Sequence, residues 1–155
     1  MKNILVGYDG TRAAEAALGR VATLAKAFDS HVVVVSVASP EPVAPDGAFG
    51  LLPYYDLGAP TVDTRLDEAL WEQHRKRVEA FFADSGTNVE FAGVMGSPVE
   101  EILEVAEQHH TDLIVVGTGE PGFLGRLLGG SVSQGVARRA HCDVLIVHVP
   151  PVDES

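Results

Sequence analysis

The chain has 155 residues, of which 46% are hydrophobic and 21% charged, a composition that fits one globular domain and excludes a disordered chain. Its single cysteine, Cys142, excludes a disulfide scaffold and a cysteine-rich zinc site. The net charge of −11 disfavours binding to nucleic acid or to an anionic membrane, because both repel an acidic protein. The N-terminal apolar run Ile4-Leu5-Val6 is too short for a signal peptide, and the longest apolar stretch, 32–38, is too short to span a bilayer, so we expect a cytoplasmic protein.

Short apolar runs alternate with segments of helical periodicity along the chain. The runs are nearly continuous, as in buried parallel strands, and they predict strands at 3–8, 31–38, 88–95, 112–117 and 143–148. Apolar positions three and four residues apart predict helices at 12–28, 62–84, 98–110 and 131–141. The proline-rich stretch 39–60 is predicted to be a long loop. We therefore expect one domain over residues 1–150 and a C-terminal tail at 151–155.

This βαβαβαβαβ order predicts an α/β fold, in which a five-stranded parallel sheet is doubly wound with helices on both faces. Such sheets bind ligands beyond the carboxyl ends of the strands, where the direction of winding reverses. If the strand order is 3-2-1-4-5, that crevice lies between the first and fourth strands. The residues there are Asp9-Gly10-Thr11 and Gly117-Thr118-Gly119, so we expect the functional site at these two turns.

The sequence Ser97-Pro98-Val99-Glu100 marks the start of the third helix. Serine is a favoured N-cap residue, and proline is favoured at the first helical position. A glutamate three residues after the cap can accept a hydrogen bond from the cap residue's N–H. We therefore predict a capping box formed by Ser97 and Glu100.

A glycine-rich stretch, 117–130, joins the fourth strand to the last helix. Glycines let main-chain N–H groups crowd around an anion, and a helix N-terminus adds free N–H groups and partial positive charge. Ser131 and Ser133 add hydroxyl groups at the start of this helix. The stretch suits a phosphate group, although the same glycines could only form a tight connection that Ser131 caps.

Two common nucleotide-binding motifs do not occur in the sequence. There is no P-loop, and the first strand is followed by Asp9-Gly10-Thr11 rather than by a Rossmann Gly-x-Gly-x-x-Gly. The spacing of serine, cysteine, histidine and acidic residues indicates no nucleophile with its base, so we predict no catalytic residues.

Motifs spread over nearly the whole chain resemble those of the universal stress protein family. They are the opening run 4–11, Gly96-Ser97-Pro98 with Ile102, the strand 112–117, and the closing blocks 130–133 and 139–147. The resemblance implies a Rossmann-like sheet of the adenine nucleotide alpha hydrolase-like type, with strand order 3-2-1-4-5. It also implies a role in the stress response and a homodimer that pairs through the last strand, at Val144, Leu145, Ile146 and Val147.

The family's nucleotide-binding members carry Gly-x2-Gly-x9-Gly-[Ser/Thr] and bind ATP or a related adenine nucleotide. The resemblance therefore implies ATP, AMP or cyclic AMP as the ligand, with or without Mg²⁺. Asp9 matches a position near the ribose and adenine, and Val37 matches a position whose main chain reads adenine. The start and end of the phosphate loop are matched by Val116, Gly117, Gly130, Ser131 and Val132.

The phosphate motif departs from the family pattern at its second glycine, where the ungapped register has Glu120. With a one-residue gap, Gly119 and Gly129 are separated by the nine residues that the motif has between its second and third glycines. The interval between its first and second glycines is then too short. A carboxylate about 4 Å from a phosphate costs roughly 4 kcal/mol at an effective dielectric of about 20, so a ligand with fewer charges than ATP suffers less. Arg126, in the same loop, could compensate for this charge.

Two hypotheses about function follow. The first is a regulator that binds an adenine nucleotide and hydrolyses ATP slowly at most. The second is a homodimeric interaction module of the same family that binds no nucleotide, which the departure at Glu120 favours.

The remaining polar candidates have simpler explanations. Asp9 could serve only to cap the first helix. His109 and His110 with Asp112 could be imagined as a metal site. Histidines at a helix C-terminus also interact favourably with the helix dipole, and we predict no metal. His74 interrupts an apolar helical stripe and is expected to be partly buried with a hydrogen-bond partner.

Overall fold

The structure, a computed structural model, describes residues 1–39, 64–118 and 130–149. The predicted loop at 39–60 lies outside this range except for Ser39, and so does the predicted tail at 151–155. Gly119, Glu120 and Arg126 also lie outside the described residues. Of Ser131, only the main chain is described.

Strands and helices alternate in the predicted order. Their bounds are β1 Asn3–Gly7, α1 Arg12–Phe28, β2 His31–Ala38, α2 Thr64–Phe82, β3 Val89–Met95, α3 Pro98–Gln108, β4 Leu113–Gly117, α4 Gly130–Arg139 and β5 Asp143–Val147. None of the described helices combines the length and the hydrophobicity that a membrane span requires.

The five strands form one parallel sheet in the order β3-β2-β1-β4-β5, which confirms the predicted fold class and strand order. β1 lies at the centre, where Val6 pairs with Val34 of β2 on one side and with Val115 of β4 on the other. The chain winds from β1 towards β3 and then crosses back to β4 and β5. The winding therefore reverses between β1 and β4, and a ligand crevice is expected beyond their carboxyl ends.

Alternating residues of the sheet supply two apolar cores. Ile4 and Val6 point towards α1 and α2, in a core that also holds Leu18 and Val78. Leu5 points to the opposite face, in a core with α3 and α4. All three strand residues are fully buried, and each such side chain stabilises the fold by about 1.5–3 kcal/mol.

The predicted capping box of α3 is wrong in one respect. Ser97 is the N-cap residue and Pro98 occupies the first turn, as predicted, but the Ser97 side chain makes no capping hydrogen bond. Ser97 is exposed, so water can satisfy its hydroxyl instead. The proline and the main-chain geometry therefore start this helix without the side-chain cap.

Candidate functional site

A crevice opens beyond the carboxyl ends of β1 and β4, at the point where the winding reverses. It is bounded by the turn between β1 and α1, the end of β2, the first turn of α3 and the start of α4. Its described lining consists of Gly7, Tyr8, Asp9, Thr11, Ala13, Ala14, Val35, Val37, Pro98, Ile102, Val116, Gly117 and Val132. The lining is mostly apolar with a few polar groups, which is the character of a small-molecule site.

The turn between β1 and α1 presents the carboxylate of Asp9 to this crevice. Asp9 Oδ1 accepts hydrogen bonds from the Thr11 hydroxyl at 2.6 Å and from the Thr11 N–H at 3.1 Å. Thr11 is the N-cap of α1, and its hydroxyl oxygen accepts from the Ala14 N–H at 3.2 Å. Asp9 therefore supports the helix cap through Thr11, and its exposed carboxylate is held at the mouth of the crevice.

Gly10 allows this turn to form. Its φ of +80° lies in the region that glycine adopts without strain, and a Cβ there would lie 3.1 Å from His74 Nε2. Any other residue would have a strained backbone conformation there, and its Cβ would lie too close to the imidazole. The glycine in Asp9-Gly10-Thr11 therefore fixes where the Asp9 carboxylate points.

The main chain of Val37 faces the crevice because the β1–β2 ladder ends before it. The last bond of that ladder runs from the Tyr8 N–H to the Val35 carbonyl at 2.9 Å. In a parallel strand, alternate residues bond to the same neighbour, so Val37 points its N–H and C=O in the same direction as Val35. β1 has ended there, and Val37 thus offers one main-chain donor and one acceptor at the edge of an apolar pocket.

Gly117 forms the floor of the crevice, where β4 passes over the first turn of α1. A Cβ on Gly117 would lie 2.5 Å from the Ala13 carbonyl oxygen, so only glycine fits without a shift of the main chain. Beyond it, the Thr118 N–H donates to the Val147 carbonyl at 2.9 Å. This bond fixes the direction in which the chain leaves β4.

The start of α4 is the part of the crevice best suited to an anion. Helix α4 begins at Gly130, and Val132 in its first turn lines the crevice. The first N–H groups of a helix have no partner within that helix, and the helix dipole places partial positive charge there. A phosphate group at this end of the crevice would be stabilised by both effects.

A hydrogen-bonded network behind the crevice holds Tyr8 in place. The Tyr8 hydroxyl donates to Glu15 at 2.8 Å, and Arg77 donates to both oxygens of the same carboxylate at 2.8 and 3.1 Å. Burial and the neighbouring Glu15 raise the pKa of Tyr8 to about 12, so its hydroxyl stays protonated as a donor. The hydrogen bond from Arg77 lowers the pKa of Glu15, which keeps the acceptor ionised.

The ring of His74 lies against the turn between β1 and α1. Its Nδ1 shares a hydrogen bond with the Ser36 hydroxyl at 2.8 Å, and its ring meets Tyr8 edge-on at a centroid distance of 5.1 Å. The prediction of a buried histidine with a partner is therefore confirmed. Burial lowers the pKa of His74, and the Asp9 charge opposes this effect in part. The neutral ring acts as packing for the Asp9 turn.

The predicted binding residues separate into three groups. Those that the structure brings together around the crevice are Asp9, Val37, Val116, Gly117 and Val132. Gly130 and Ser131 open α4 beside Val132, whereas Ser133 is buried in the helix and is not among the described lining residues. Gly119 and Arg126 lie outside the described residues and stay predictions.

Several lining residues were missed by the sequence analysis. Tyr8 directly precedes the predicted turn Asp9-Gly10-Thr11, so its position beside Asp9 was a signal that could have found it. Pro98 and Ile102 come from the first turns of α3, far away in the sequence. Only the packing of α3 against the sheet brings them to the crevice, and no local sequence pattern predicts that contact.

The histidines near the end of α3 do not gather around Asp112. The Asp112 carboxylate accepts from the N–H groups of Lys2 at 2.7 Å and Asn3 at 2.9 Å, and these bonds lower its pKa. It thereby joins the loop before β4 to the start of β1. Within the described ranges, His109 lies near His31 and Glu90 instead.

Comparisons with known proteins show the family to which the chain belongs. The sequence model of the universal stress protein family matches residues 1–148. A universal stress protein of Methanocaldococcus jannaschii is 32% identical over 149 residues, which cover 96% of this chain and 83% of that protein.

Two solved structures are also similar over nearly their whole length. A universal stress protein in complex with cAMP has 29% identity and a TM-score of 0.63, covering 95% of this chain and 96% of that one. The universal stress protein UspA from Lactobacillus plantarum has 25% identity and a TM-score of 0.70, with 94% and 97% covered. Sequence and fold comparisons thus lead to the same family.

Proposed function

The chain belongs to the universal stress protein family, and from this premise we propose that it binds an adenine nucleotide in the crevice between β1 and β4. The observation that carries the proposal is the main chain of Val37 beyond the end of the β1–β2 ladder. Adenine carries an amino donor next to a ring-nitrogen acceptor, which complement the C=O and N–H of one residue. The apolar walls formed by Val35, Val116 and Ile102 suit the flat faces of the base.

Asp9 is proposed to bind the ribose. Its Oδ1 is engaged by Thr11, while the rest of the carboxylate faces the mouth of the crevice and can accept from sugar hydroxyls. Hydrogen bonds to a charged acceptor are worth about 1.5–3 kcal/mol, more than those between neutral groups. The Thr11 bonds hold this acceptor in one orientation before the nucleotide arrives.

The charge around the crevice favours a nucleotide with few phosphates. Asp9 is the one charged side chain among the lining residues that the structure describes, and the whole chain carries a net charge of −11. Both features repel a triphosphate more than a monophosphate. We therefore propose cyclic AMP or AMP as the preferred ligand over ATP, in line with the cAMP bound by the related structure.

The proposed role is regulatory, in a cytoplasmic stress response, rather than catalytic. The polar side chains of the described lining are those of Tyr8, Asp9 and Thr11. Tyr8 donates to Glu15, and Asp9 holds Thr11, so these groups are arranged to bind hydroxyls rather than to activate a water molecule. Bound ATP, with or without Mg²⁺, would be hydrolysed slowly.

A homodimer through β5 is the second part of the proposal. β5 lies at the edge of the sheet and pairs only with β4 among the described strands. Val144, Leu145 and Ile146 are partly buried on this edge strand. Pairing with a second copy would cover the edge by an isologous contact.

Isothermal titration with cyclic AMP, AMP and ATP, each with and without Mg²⁺, tests the proposal. We expect saturable binding, with ATP weaker than the monophosphates. Asp9→Asn should weaken binding about tenfold or more, because it removes the charge while its amide oxygen can still accept from Thr11. Asp84→Asn, at an exposed position in the turn after α2, is the matched control and should leave the affinity unchanged.

The absence of heat with every nucleotide, on protein shown to be folded and free of bound nucleotide, would contradict nucleotide binding. Equal affinity for the Asp9→Asn and Asp84→Asn variants would instead contradict the contact of Asp9 with the ribose. The first result would favour the alternative function, a homodimeric interaction module of the same family that needs no nucleotide.

A further inference from the structure

Two histidines and a glutamate meet at the end of the sheet opposite the crevice. His31 is the first residue of β2, Glu90 lies near the start of β3, and His109 is the C-cap of α3. Their ligand atoms all lie within 4.8 Å of one another. The crevice contains none of these three residues, so this group is separate from the proposed nucleotide site.

Strand register places His31 and Glu90 on the same face of the sheet. Val33 pairs with Glu90 in the β2–β3 ladder, and His31 lies two residues before Val33. Because side chains alternate along a strand, His31, Val33 and Glu90 share one face. Val33 belongs to the apolar core under α3, so this is the face that α3 covers.

Helical periodicity brings His109 to that face. The buried stripe of α3 consists of Ile102, Val105 and Ala106. His109 follows Ile102 by two turns and Val105 by four residues, so it continues the stripe at the end of the helix. The three side chains thus converge for reasons built into the strands and the helix, and not by the chance position of a surface loop.

The distances fit a carboxylate placed between two imidazoles. His31 Nε2 lies 3.5 Å from Glu90 Oε2, and His109 Nε2 lies 4.0 Å from Glu90 Oε1. A tetrahedral zinc ion with bonds of about 2.0–2.2 Å holds its ligand atoms about 3.3–3.6 Å apart. The His31–Glu90 distance already fits. His109 can approach by rotation of its side chain, because the side chains of His109 and Glu90 are 26% and 52% exposed, respectively.

We propose that His31, Glu90 and His109 bind a divalent transition-metal ion, Zn²⁺, at this end of the sheet. Two histidines and one carboxylate are a known set of protein ligands for zinc, and the fourth position stays open to water. The acidic chain also attracts cations. An ion here would join the end of α3 to the starts of β2 and β3.

The surroundings of His31 indicate a reversible site. Its Nδ1 is buried and has no hydrogen-bond partner in the part of the chain that the structure describes. Zinc-bound histidines usually donate from the second ring nitrogen to an oxygen, and loss of that support lowers metal affinity about 10–100-fold. We therefore expect a chelator to remove the ion without unfolding the protein.

Titration of the chelated, metal-free protein with ZnCl₂ tests the proposal, with isothermal titration and the melting temperature as readouts. We expect one equivalent to bind and the melting temperature to rise. His31→Asn, Glu90→Gln and His109→Asn should each weaken binding at least tenfold. His110→Asn is the matched control, because it removes the adjacent imidazole at a position of positive φ (49°), which asparagine tolerates.

The visible spectrum of bound Co²⁺ is a readout that would not change if the three residues had only a structural role. Co²⁺ at a site with this ligand set should show the intense visible bands of tetrahedral coordination, and Glu90→Gln should reduce them. All four variants are checked for folding without metal by circular dichroism. The proposal is overturned if Zn²⁺ does not bind saturably, or if His110→Asn weakens binding as much as the three ligand variants do.

Discussion

Gly117 and Gly19 show how differently two glycines of the same chain are used. A Cβ on Gly117 would lie 2.5 Å from the Ala13 carbonyl oxygen, whereas one on Gly19, inside α1, would meet nothing within 4 Å. Gly117→Ala forces the main chains of β4 and α1 apart, and we expect a loss of about 1–3 kcal/mol in the free energy of unfolding. Gly19→Ala should instead gain about 0.5–1 kcal/mol, because alanine is the better helix former.

Urea unfolding of both variants beside the unmodified protein measures this difference. Gly117→Ala should also weaken nucleotide binding, because the residue forms the floor of the crevice. Equal stability of the two variants would mean that Gly117 is not in close contact with α1.

His74 makes the stability of the fold depend on pH. Burial lowers its pKa below that of the unfolded chain, about 6.5, so the unfolded state binds a proton more readily. Stability from this residue is complete above pH 6.5 and falls as the pH drops from there through the lower pKa of the folded state. The slope reaches at most about 1.4 kcal/mol per pH unit.

Urea unfolding at pH 7.5, 6.5 and 5.5 checks this effect, with His74→Gln as the comparison. The variant cannot titrate in this range and should lose less stability on acidification than the unmodified protein. The lowered pKa values of Glu15 and Asp112 affect the free energy of unfolding below pH 4.5, outside this range. An identical loss in both proteins would show that another group is responsible.

Helices α1 and α3 begin in different ways, although both have a hydroxyl residue at the N-cap. The Thr11 hydroxyl accepts from the Ala14 N–H and donates to Asp9, while the Ser97 side chain makes no capping hydrogen bond. Thr11→Ala should therefore cost about 1 kcal/mol of stability. Ser97→Ala should change stability by less than about 0.5 kcal/mol.

Thermal or urea unfolding distinguishes the two helix starts. A similar cost for both variants would mean that Ser97 caps α3 in solution after all. Because Thr11 also holds Asp9, Thr11→Ala is expected to weaken nucleotide binding as well, and Ser97→Ala is not.

The sequence determines the elements well because each depends on local periodicity. Val32, Val33, Val34 and Val35 are buried on both faces of β2, so the apolar run was enough to predict a parallel strand. Boundaries moved by one or two residues, as at α2, which ends at Phe82 where the Ser85 hydroxyl donates to the last carbonyl. Ser97 is the N-cap of α3 as predicted, but residue preference alone did not show that its side chain makes no capping hydrogen bond.

The candidate site was predictable where the topology, the glycine-rich pattern or the family resemblance points to it. The ends of β1 and β4 could be named from the strand order, and Val37 followed from the family resemblance. The contacts of His74 with Ser36 and of α3 with the crevice join distant segments. They depend on how the helices pack on the sheet, which periodicity does not specify.

At the scale of the whole molecule, the edge position of β5 among the described strands determines the expected assembly. The Val147 carbonyl points towards β4, so the main-chain groups of Val144 and Ile146 point away from the sheet. Light scattering at micromolar concentration should give twice the chain mass of 16.4 kDa. A mass of one chain throughout the concentration range would exclude pairing through β5.

The reversal of winding between β1 and β4 connects the fold to the proposed function. Among the described strands, it leaves the end of β2 without a neighbour on one side and opens the space that the base would occupy. The same sheet brings His31 and Glu90 together at its other end. The two proposed sites thus lie at opposite ends of one sheet and can be tested separately.

The most direct test of nucleotide binding is ¹H–¹⁵N correlation NMR of the labelled protein during titration with cyclic AMP. We predict that the amide of Val37 shifts most, together with those of Asp9, Gly117 and Val132, while the amides of His31 and Glu90 stay in place. Shifts confined to other residues, or none at saturating nucleotide, would contradict a base bound at Val37.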